Sequence, residues 1–185
     1  VSFKYRADAA EDVLEHIDLR IEPGSTVGVL GGTGSGKSSL VQLIARLYDA
    51  TEGAVLVGGR DVRDYDLVAL RDAVGIVLQK NVLFTGTVRE NLQWGAPDAT
   101  DEELLDACRA ACVDEFLDRI GGLDGELGQG GAGVSGGQKQ RLCIARTLLK
   151  YPRVLIFDDS TSAVDMATDA KIREHIAQIP DTTVI

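Results

Sequence analysis

The sequence predicts an α/β fold with a parallel-sheet core, an antiparallel β portion and an inserted helical portion at about residues 80–150. Short apolar runs at 74–78, 154–157 and 183–185 are typical of buried strands, and they alternate with segments of helical periodicity. A glycine-rich stretch at 31–38 lies between another such run and a helical segment. Alternation of buried strands with helices is the pattern of a parallel sheet covered by helices.

The first third of the chain supplies the predicted β portion and the first helix. Residues 13–21 alternate between apolar and polar side chains, which predicts a half-buried antiparallel strand. A turn at 23–25 precedes a short apolar strand at 26–30. Helical spacing then relates Leu40, Leu43, Ile44 and Leu47, and a second alternating segment covers 54–57.

The remaining elements are marked by caps and by buried strands. The strand at 74–78 ends at Gln79, and a capping box at 100–103 predicts the start of a helix. The glycine-rich stretch 121–137 precedes a helix that runs through Leu142, and Asp165 is placed to begin another after the strand at 154–157. Residues 183–185 predict a last strand. We expect residues 1–185 to form one domain, truncated at its C-terminal end, with 80–150 as a helical subdomain inserted in it.

Composition excludes several classes of protein. Of the 185 residues, 44% are hydrophobic and 26% are charged, which is enough apolar material for a packed core. The net charge of −10 argues against a dedicated nucleic-acid-binding protein, which would carry a basic face. The apolar runs are far shorter than a membrane-spanning helix, so any membrane role must come from a partner or from a segment outside these residues.

The three cysteines do not predict a metal site or a disulfide. Cys108, Cys112 and Cys143 form no C-x-x-C pair and have no histidine nearby in the sequence. We expect them to be small buried residues in a reducing environment.

The strongest functional motif is a complete G-x-x-x-x-G-K-S loop between a predicted strand and a predicted helix. Glycines let successive backbone N–H groups face a phosphate, the lysine neutralises β- and γ-phosphate oxygens, and the serine hydroxyl can bind Mg²⁺. The motif predicts binding of a nucleoside triphosphate with Mg²⁺. Its residues are Gly31, Gly32, Thr33, Gly34, Ser35, Gly36, Lys37 and Ser38.

A second motif is the apolar strand 154–157 followed by Asp158. A buried parallel strand delivers the residue after it to the C-terminal edge of the sheet, where nucleotides bind. We expect Asp158 to lie beside the phosphate-binding loop and to hold Mg²⁺ through water.

A third motif, Ser135-Gly136-Gly137-Gln138, begins the helix through Leu142. A helix start with exposed N–H groups and no side chains at two positions suits an outward-facing anion site. The alternative is a simple S-x-x-Q capping box. Capping alone does not explain two adjacent glycines in the first turn, because each of them destabilises a helix.

Together these motifs resemble the nucleotide-binding domains of ABC transporters, and the resemblance covers nearly the whole chain. It implies the ABC ATPase fold with ATP and Mg²⁺ as ligands. Tyr5 resembles the aromatic residue that stacks on adenine, although a core tyrosine is the alternative, and Val13 and Ser39 join the implied ATP contacts. Gln79 resembles the glutamine that contacts Mg²⁺ and reports nucleotide state to the membrane domain.

The resemblance also implies a partner. Residues 162–165, ending in Asp165, resemble the D-loop, which crosses to the other subunit; Asp165 as a helix N-cap is the structural alternative. The segment 84–92 resembles exporters more than importers. Such domains pair head to tail, so the 135–138 motif would contact ATP held by the partner. A transmembrane domain, in the same chain or a partner chain, would place the protein at the cytoplasmic face of the cell membrane.

One position departs from the family pattern. Asp159 stands where the family usually has a glutamate that polarises the attacking water, and it is one methylene shorter. Loss of a placed general base typically costs about 10²–10⁴-fold in rate. Gln129 also replaces an expected glutamate. The combination resembles the degenerate half of heterodimeric exporters, with Lys37, Gln79 and Asp159 as the catalytic set of a weak site and a non-identical partner carrying the glutamate.

Three alternatives remain at this level. A regulatory ATP-binding module would keep the fold without useful hydrolysis. An ABC ATPase without a membrane domain would show tandem units or a coiled-coil insertion, and a GTPase would need an N-K-x-D element; the sequence has none of these. The family's switch histidine is expected beyond Ile185. The transported compound cannot be predicted from these residues.

Overall fold

The structure is a computed structural model that describes residues 1–158 and 163–185. The chain divides into two compact units. The first comprises Val1–Ile76, Arg153–Asp158 and Thr182–Ile185; the second comprises Val77–Pro152 and Asp159–Asp181.

The first unit carries the helix that follows the glycine-rich loop and a small sheet. Helix α1 is Lys37–Ile44, and β1 (Leu56–Val57) pairs antiparallel with β2 (Arg60–Asp61) across a turn of two glycines with positive φ. A 3₁₀ turn at Val62–Asp64 precedes α2 (Leu67–Ala73) and β3 (Val74–Val77).

In the three-stranded sheet, β6 (Val154–Phe157) lies between β3 and β7 (Thr183–Val184) and runs parallel to β7. Ile156 of β6 is fully buried against Val41, Leu70 and Val74. The apolar run of β6 therefore ends in the core of this unit, and Asp158 follows directly at the C-terminal end of the strand.

The second unit is mainly helical. A two-stranded antiparallel ladder joins β4 (Gly86–Thr87) to β5 (Glu126–Leu127). The helices and 3₁₀ turns are α3 (Val88–Gln93), α4 (Asp101–Ala110), α5 (Asp114–Leu117), Asp118–Ile120, Gly122–Asp124, α6 (Gly136–Leu148) and α7 (Met166–Ala177). Helix α6 packs against α3 and α4, and α4 also contacts α7.

The caps predicted from sequence form at α4, α6 and α7. The Thr100 side chain accepts a hydrogen bond from Glu103 N, and Glu103 Oε2 accepts one from Thr100 N. Asp165 caps α7 by accepting from Thr168 N. These helix starts were predictable because a cap is a local interaction among four residues.

Two predicted strands are not formed as expected, although both lie among the described residues. Between 13 and 21 only Leu14 makes a β-bridge, with Phe3, because His16 has a left-handed φ of 49° that interrupts the pairing before Ile17 bonds to Val1. In the segment 26–30 only Thr26 bridges, to Val184, and Leu30 is 97% exposed. The neighbouring β7 is two residues long and offers few backbone partners.

The three cysteines are free and buried, as predicted. Burial raises the pKa of Cys108 to about 12 and also raises the pKa of Cys112 and Cys143. Their thiols are therefore protonated at neutral pH and act as apolar side chains. Among the described residues, no helix is long and apolar enough to span a membrane.

Candidate nucleotide-binding site

The glycine-rich loop lies in the first unit, at the start of α1. Gly36 is the N-cap of α1 with a left-handed φ of 85°, and Gly34 has a φ of 79°. A Cβ on Gly36 would lie 3.0 Å from Val13 O and 2.8 Å from a Leu14 methyl carbon. Glycine is therefore required at 36 for both its backbone angle and its close packing, and Val13 is placed beside the loop.

Lys37 lies over the loop that precedes it. Its Nζ donates hydrogen bonds to the carbonyl oxygens of Gly31, at 2.7 Å, and Gly32, at 2.9 Å. A Cβ on Gly31 would lie 2.5 Å from Ser35 Oγ, so the loop closes tightly at that point. The lysine charge is thus held at the loop, where a helix N-terminus also favours an anion.

The two predicted magnesium ligands of this unit are in direct contact. Ser38 Oγ donates a hydrogen bond of 2.8 Å to Asp158 Oδ1, although the residues are 120 positions apart. Hydroxyl and carboxylate oxygens are the donors that Mg²⁺ prefers, and the ion normally keeps water and phosphate oxygens in its remaining positions. The residues present therefore fit a Mg²⁺ ion bound together with a nucleotide phosphate.

Tyr5 belongs to an aromatic group next to α1. Its hydroxyl is 2.8 Å from Ser39 Oγ, and its ring meets the rings of Phe3 and Tyr48 edge-on, at centroid distances of 4.8 and 5.0 Å. Half of Tyr5 remains exposed, whereas Phe3 is buried. Tyr5 is therefore anchored by its hydroxyl and its ring contacts, and its exposed half remains available to contact a base.

The 135–138 motif lies in the second unit. The Ser135 hydroxyl accepts a hydrogen bond from Gln138 N, and Gln138 Oε1 accepts one from Ser135 N, so the capping box does form. A Cβ on Gly137 would lie 2.7 Å from Ala163 O, whereas one on Gly136 would meet only the Ala163 methyl, at 3.8 Å. Gly137 is therefore explained by packing within the chain, and Gly136 is not.

A concave surface joins this helix start to the beginning of α7. It is lined by Ser135, Gly136, Gly137, Arg141, Ala163, Val164 and Asp165. Hydrogen bonds from the backbone N–H and hydroxyl of Thr168 lower the pKa of Asp165, so its carboxylate is ionised. The structure thus places residues 135–137 and 163–165, two segments that the resemblance assigned to contacts with a partner, side by side.

The remaining predicted site residues lie in the second unit or outside the described residues. Gln79 belongs to the second unit, two residues beyond the end of β3, and its role toward Mg²⁺ stays a prediction. Asp159 and Ser162 lie outside the described residues. Sequence reasoning gave no role to Tyr48, Arg141, Glu115 or Lys171. Each acquires its contacts through tertiary packing, which leaves no local signal.

Comparison with known proteins identifies the family of this chain. Residues 14–162 match the family model described as ABC transporter. The chain is 48% identical over 177 residues to an ABC transporter ATP-binding protein of Mycobacterium tuberculosis, covering 94% of this chain and 30% of that protein. It is 46% identical over 187 residues to a multidrug efflux ATP-binding/permease protein of Mycobacterium bovis, covering 100% of this chain and 16% of that protein.

A solved structure extends the likeness to the fold. The structure of a bacterial Atm1-family ABC exporter with ATP bound matches with a TM-score of 0.93 and 37% identity, covering 100% of this chain and 33% of that one. The chain therefore spans about a third or less of the length of these relatives. It belongs to the ABC transporter family and has the fold of that family's ATP-binding domain.

Proposed function

We propose that this chain is the ATP-binding domain of an ABC exporter and binds MgATP between itself and a second such domain. The observation that carries the proposal is the contact of Ser38 with Asp158 beside Lys37 and the glycine-rich loop. A lysine charge, a helix N-terminus and two hard oxygen ligands within one unit match the needs of a nucleotide triphosphate with Mg²⁺.

Each residue has a distinct task in this proposal. Backbone N–H groups of 32–37 and the Lys37 ammonium bind the phosphates, and Ser38 and Asp158 hold the Mg²⁺ ion, which would neutralise the developing charge on the β- and γ-phosphate oxygens. The exposed face of Tyr5 stacks on adenine. Gln79 contacts the metal and reports its presence to the membrane domain. Val13, Thr33 and Ser39 complete the nucleotide contacts.

The second nucleotide contact is made in trans. Ser135, Gly136 and Gln138 present a helix start to the ATP bound by the partner domain, and Asp165 crosses to the same interface. The free space around Gly136 supports this role, since no contact within the described chain requires glycine there. The observed capping box is compatible with it, because the cap uses a lone pair of the Ser135 hydroxyl and leaves its O–H to donate to a phosphate oxygen.

We further propose that the two sites of the pair are unequal. Asp159 keeps a negative charge but is shorter than the glutamate expected there, so this chain's own site binds ATP and hydrolyses it weakly. A non-identical partner that carries the glutamate turns over ATP against this chain's intact 135–138 motif. Relatives described as ATP-binding/permease proteins support a transmembrane domain, and hence a place at the cytoplasmic face of the cell membrane.

The metal assignment is tested by measuring ATP affinity with and without Mg²⁺ on the complete domain. We expect Ser38→Ala and Asp158→Asn to weaken MgATP binding about tenfold or more while changing the affinity for metal-free ATP less than twofold. Lys37→Ala should weaken both. If all three variants weaken both forms equally, Ser38 and Asp158 do not hold the metal.

The asymmetry is tested by single-turnover ATPase measurements on the reconstituted pair. Replacing the partner's glutamate by glutamine should abolish hydrolysis, whereas Asp159→Asn should leave most of it. The opposite result would assign turnover to this chain. Absence of hydrolysis in the intact pair, with ATP still bound, would favour a regulatory ATP-binding module, and activity that persists without any membrane domain partner would favour a soluble ABC ATPase.

A further inference from the structure

One ion-pair network in the second unit connects the two helices that line the concave surface. Glu115 of α5 accepts a hydrogen bond of 2.8 Å from Arg141 Nη1 on α6 and one of 3.0 Å from Lys171 Nζ on α7. A different carboxylate oxygen serves each cation. Helix α6 begins with the 135–138 motif, and α7 begins at the Asp165 cap.

Arg141 is fixed far more firmly than an ordinary surface arginine. Its guanidinium lies 4.7 Å from the centroid of the Phe116 ring, and Nη1 also donates to Cys112 O at 3.0 Å. Only 13% of the side chain is exposed, yet Arg141 lines the concave surface with Gly136 and Gly137. The network thus begins at the wall of that surface.

Lys171 is the more exposed end of the network. Its side chain is 58% exposed, against 39% for Glu115. The bond to Lys171 is the largest cause that lowers the pKa of Glu115, and the Glu115 partner in turn raises the pKa of Lys171. Both groups are therefore charged at neutral pH, and α7 is attached to α5 and α6 by an electrostatic contact.

The segment just before α7 lies in close contact with the start of α6. Ala163 O approaches Gly137 so closely that a Cβ there would lie 2.7 Å away. A small shift of α7 along α6 would therefore open or close the surface formed by 135–137 and 163–165. The Lys171–Glu115 contact can determine the position of α7 along α6, because Glu115 also binds Arg141, which lines the concave surface.

We infer that Glu115 is a positioning residue for the trans nucleotide site: through Arg141 and Lys171 it sets how the segment 163–165 lies against the 135–138 helix start. This inference rests on the proposed function, since it concerns ATP held by a partner domain. Glu115 itself touches no nucleotide. Its effect should appear on the partner's ATP and not on the ATP bound at this chain's Lys37.

The test uses the full-length transporter with its partner chain and compares Glu115→Gln, Lys171→Met and the conservative Lys171→Arg. We expect the first two to lower single-turnover hydrolysis in the partner's site about fivefold, with photo-labelling of this chain by azido-ATP changed less than twofold. Lys171→Arg keeps the positive charge and should therefore hydrolyse ATP at a rate within twofold of wild type. Asp106→Asn is the matched control, because the Asp106–Arg109 ion pair stays within α4.

Ionic strength separates an electrostatic positioning role from a merely structural one. Salt screens exposed charges, so raising it from about 0.05 M to 0.5 M should bring the wild-type rate toward that of Lys171→Met while the variant changes little. Equal salt dependence of the two proteins would contradict the inference. A partner-site rate within twofold of wild type in both Glu115→Gln and Lys171→Met would also contradict it. So would a Lys171→Arg rate as low as that of Lys171→Met.

A further variant separates this inference from the proposed function. Ser135→Arg should block the trans contact directly and abolish partner-site hydrolysis. If Ser135→Arg has no effect, the proposed pairing itself is wrong, and the inference falls with it. If Ser135→Arg abolishes hydrolysis and Glu115→Gln does not lower it, only the positioning role is wrong.

Discussion

The aromatic contacts of Tyr5 distinguish two tasks within one residue. Its hydroxyl lies 2.8 Å from Ser39 Oγ, while half of the residue remains exposed. Ser39 is buried, so losing this partner costs part of one hydrogen bond, about 0.5–1.5 kcal/mol. The hydroxyl therefore orients the ring, and the ring supplies the proposed stacking on adenine.

We predict that Tyr5→Phe retains ATP binding within about threefold, whereas Tyr5→Ala weakens it about tenfold or more, because only the second removes the ring. Equilibrium titration with a fluorescent ATP analogue measures both. Phe3→Leu serves as a control for disturbance of the buried aromatic neighbour. Equal loss in Tyr5→Phe and Tyr5→Ala would assign the residue to structure alone.

The two glycines that begin α6 differ in what surrounds them. Alanine is favoured over glycine inside a helix by about 1 kcal/mol. At Gly136 a new methyl group would meet only Ala163 Cβ at an ordinary distance, but at Gly137 it would press on Ala163 O. The same substitution should therefore have opposite effects on stability at adjacent positions.

We predict that Gly136→Ala leaves the free energy of unfolding unchanged or raises it, and that Gly137→Ala lowers it by about 1–3 kcal/mol through overpacking. Urea unfolding of the purified protein measures both, and each variant is the other's control. A stable Gly137→Ala protein would mean that the segment 163–165 can move away from α6 at little cost.

At the scale of secondary structure, short-range interactions decided what the sequence could predict. The caps at Thr100 and Asp165 and the four apolar residues of β6 were predicted correctly because each depends on neighbours along the chain. The prediction of a strand at 26–30 was wrong because a strand needs a partner of similar length, and the neighbouring β7 has only two residues. The interruption at His16 could not be predicted, because His16 fits the alternation of apolar and polar residues.

The turn that follows β2 shows how one carboxylate can stabilise an element in a pH-dependent way. Asp61 accepts hydrogen bonds from Arg63 N and from the Arg63 guanidinium. The bond to the Arg63 side chain is the largest cause that lowers the pKa of Asp61 from 3.8 to about 2. Because the folded pKa is the lower one, the ionised carboxylate stabilises the folded state above pH 3.8, and this contribution is lost as the pH falls toward 2.

We predict that Asp61→Asn lowers the free energy of unfolding at pH 7 and at pH 5 by the same amount. The difference in the free energy of unfolding between this variant and wild type should then become smaller between pH 4 and pH 3. Urea titrations at these pH values measure it. Asp98→Asn, at an exposed position outside the turn, is the control for removing a surface carboxylate. A difference that stays constant down to pH 3 would mean that the side chain acts by geometry and not by charge.

At the scale of the whole molecule, the sequence identified residues that act far from one another. The proximity of Asp158 to the loop that carries Ser38 was predicted because the two motifs imply a common ligand, even though 120 positions separate Ser38 from Asp158. The network of Glu115, Arg141 and Lys171 was not predictable, because its members are 26 and 56 positions apart and share no ligand that would relate them. Motifs reveal distant residues only when one ligand needs them all.

The assignment of the two motifs to different ATP sites leads to a prediction about the pair of domains. If Lys37 holds ATP for this chain and Ser135 contacts ATP for the partner, variants at the two positions should fail at different sites. In the full-length pair, Lys37→Ala should abolish azido-ATP labelling of this chain and leave labelling of the partner. Ser135→Arg should leave labelling of this chain and reduce nucleotide trapping on the partner about tenfold or more.

Transport by the same two variants connects the sites to the proposed function. Because turnover is assigned to the partner's site, Ser135→Arg should stop both hydrolysis and transport. Lys37→Ala should lower hydrolysis only to the extent that closure of the domain pair requires ATP at this chain's own site. Arg173→Gln, on the exposed side of α7 in a pair with Asp169, is the control for general damage. Loss of labelling on this chain by Ser135→Arg would place both motifs at one site, and a head-to-tail pair would then be excluded.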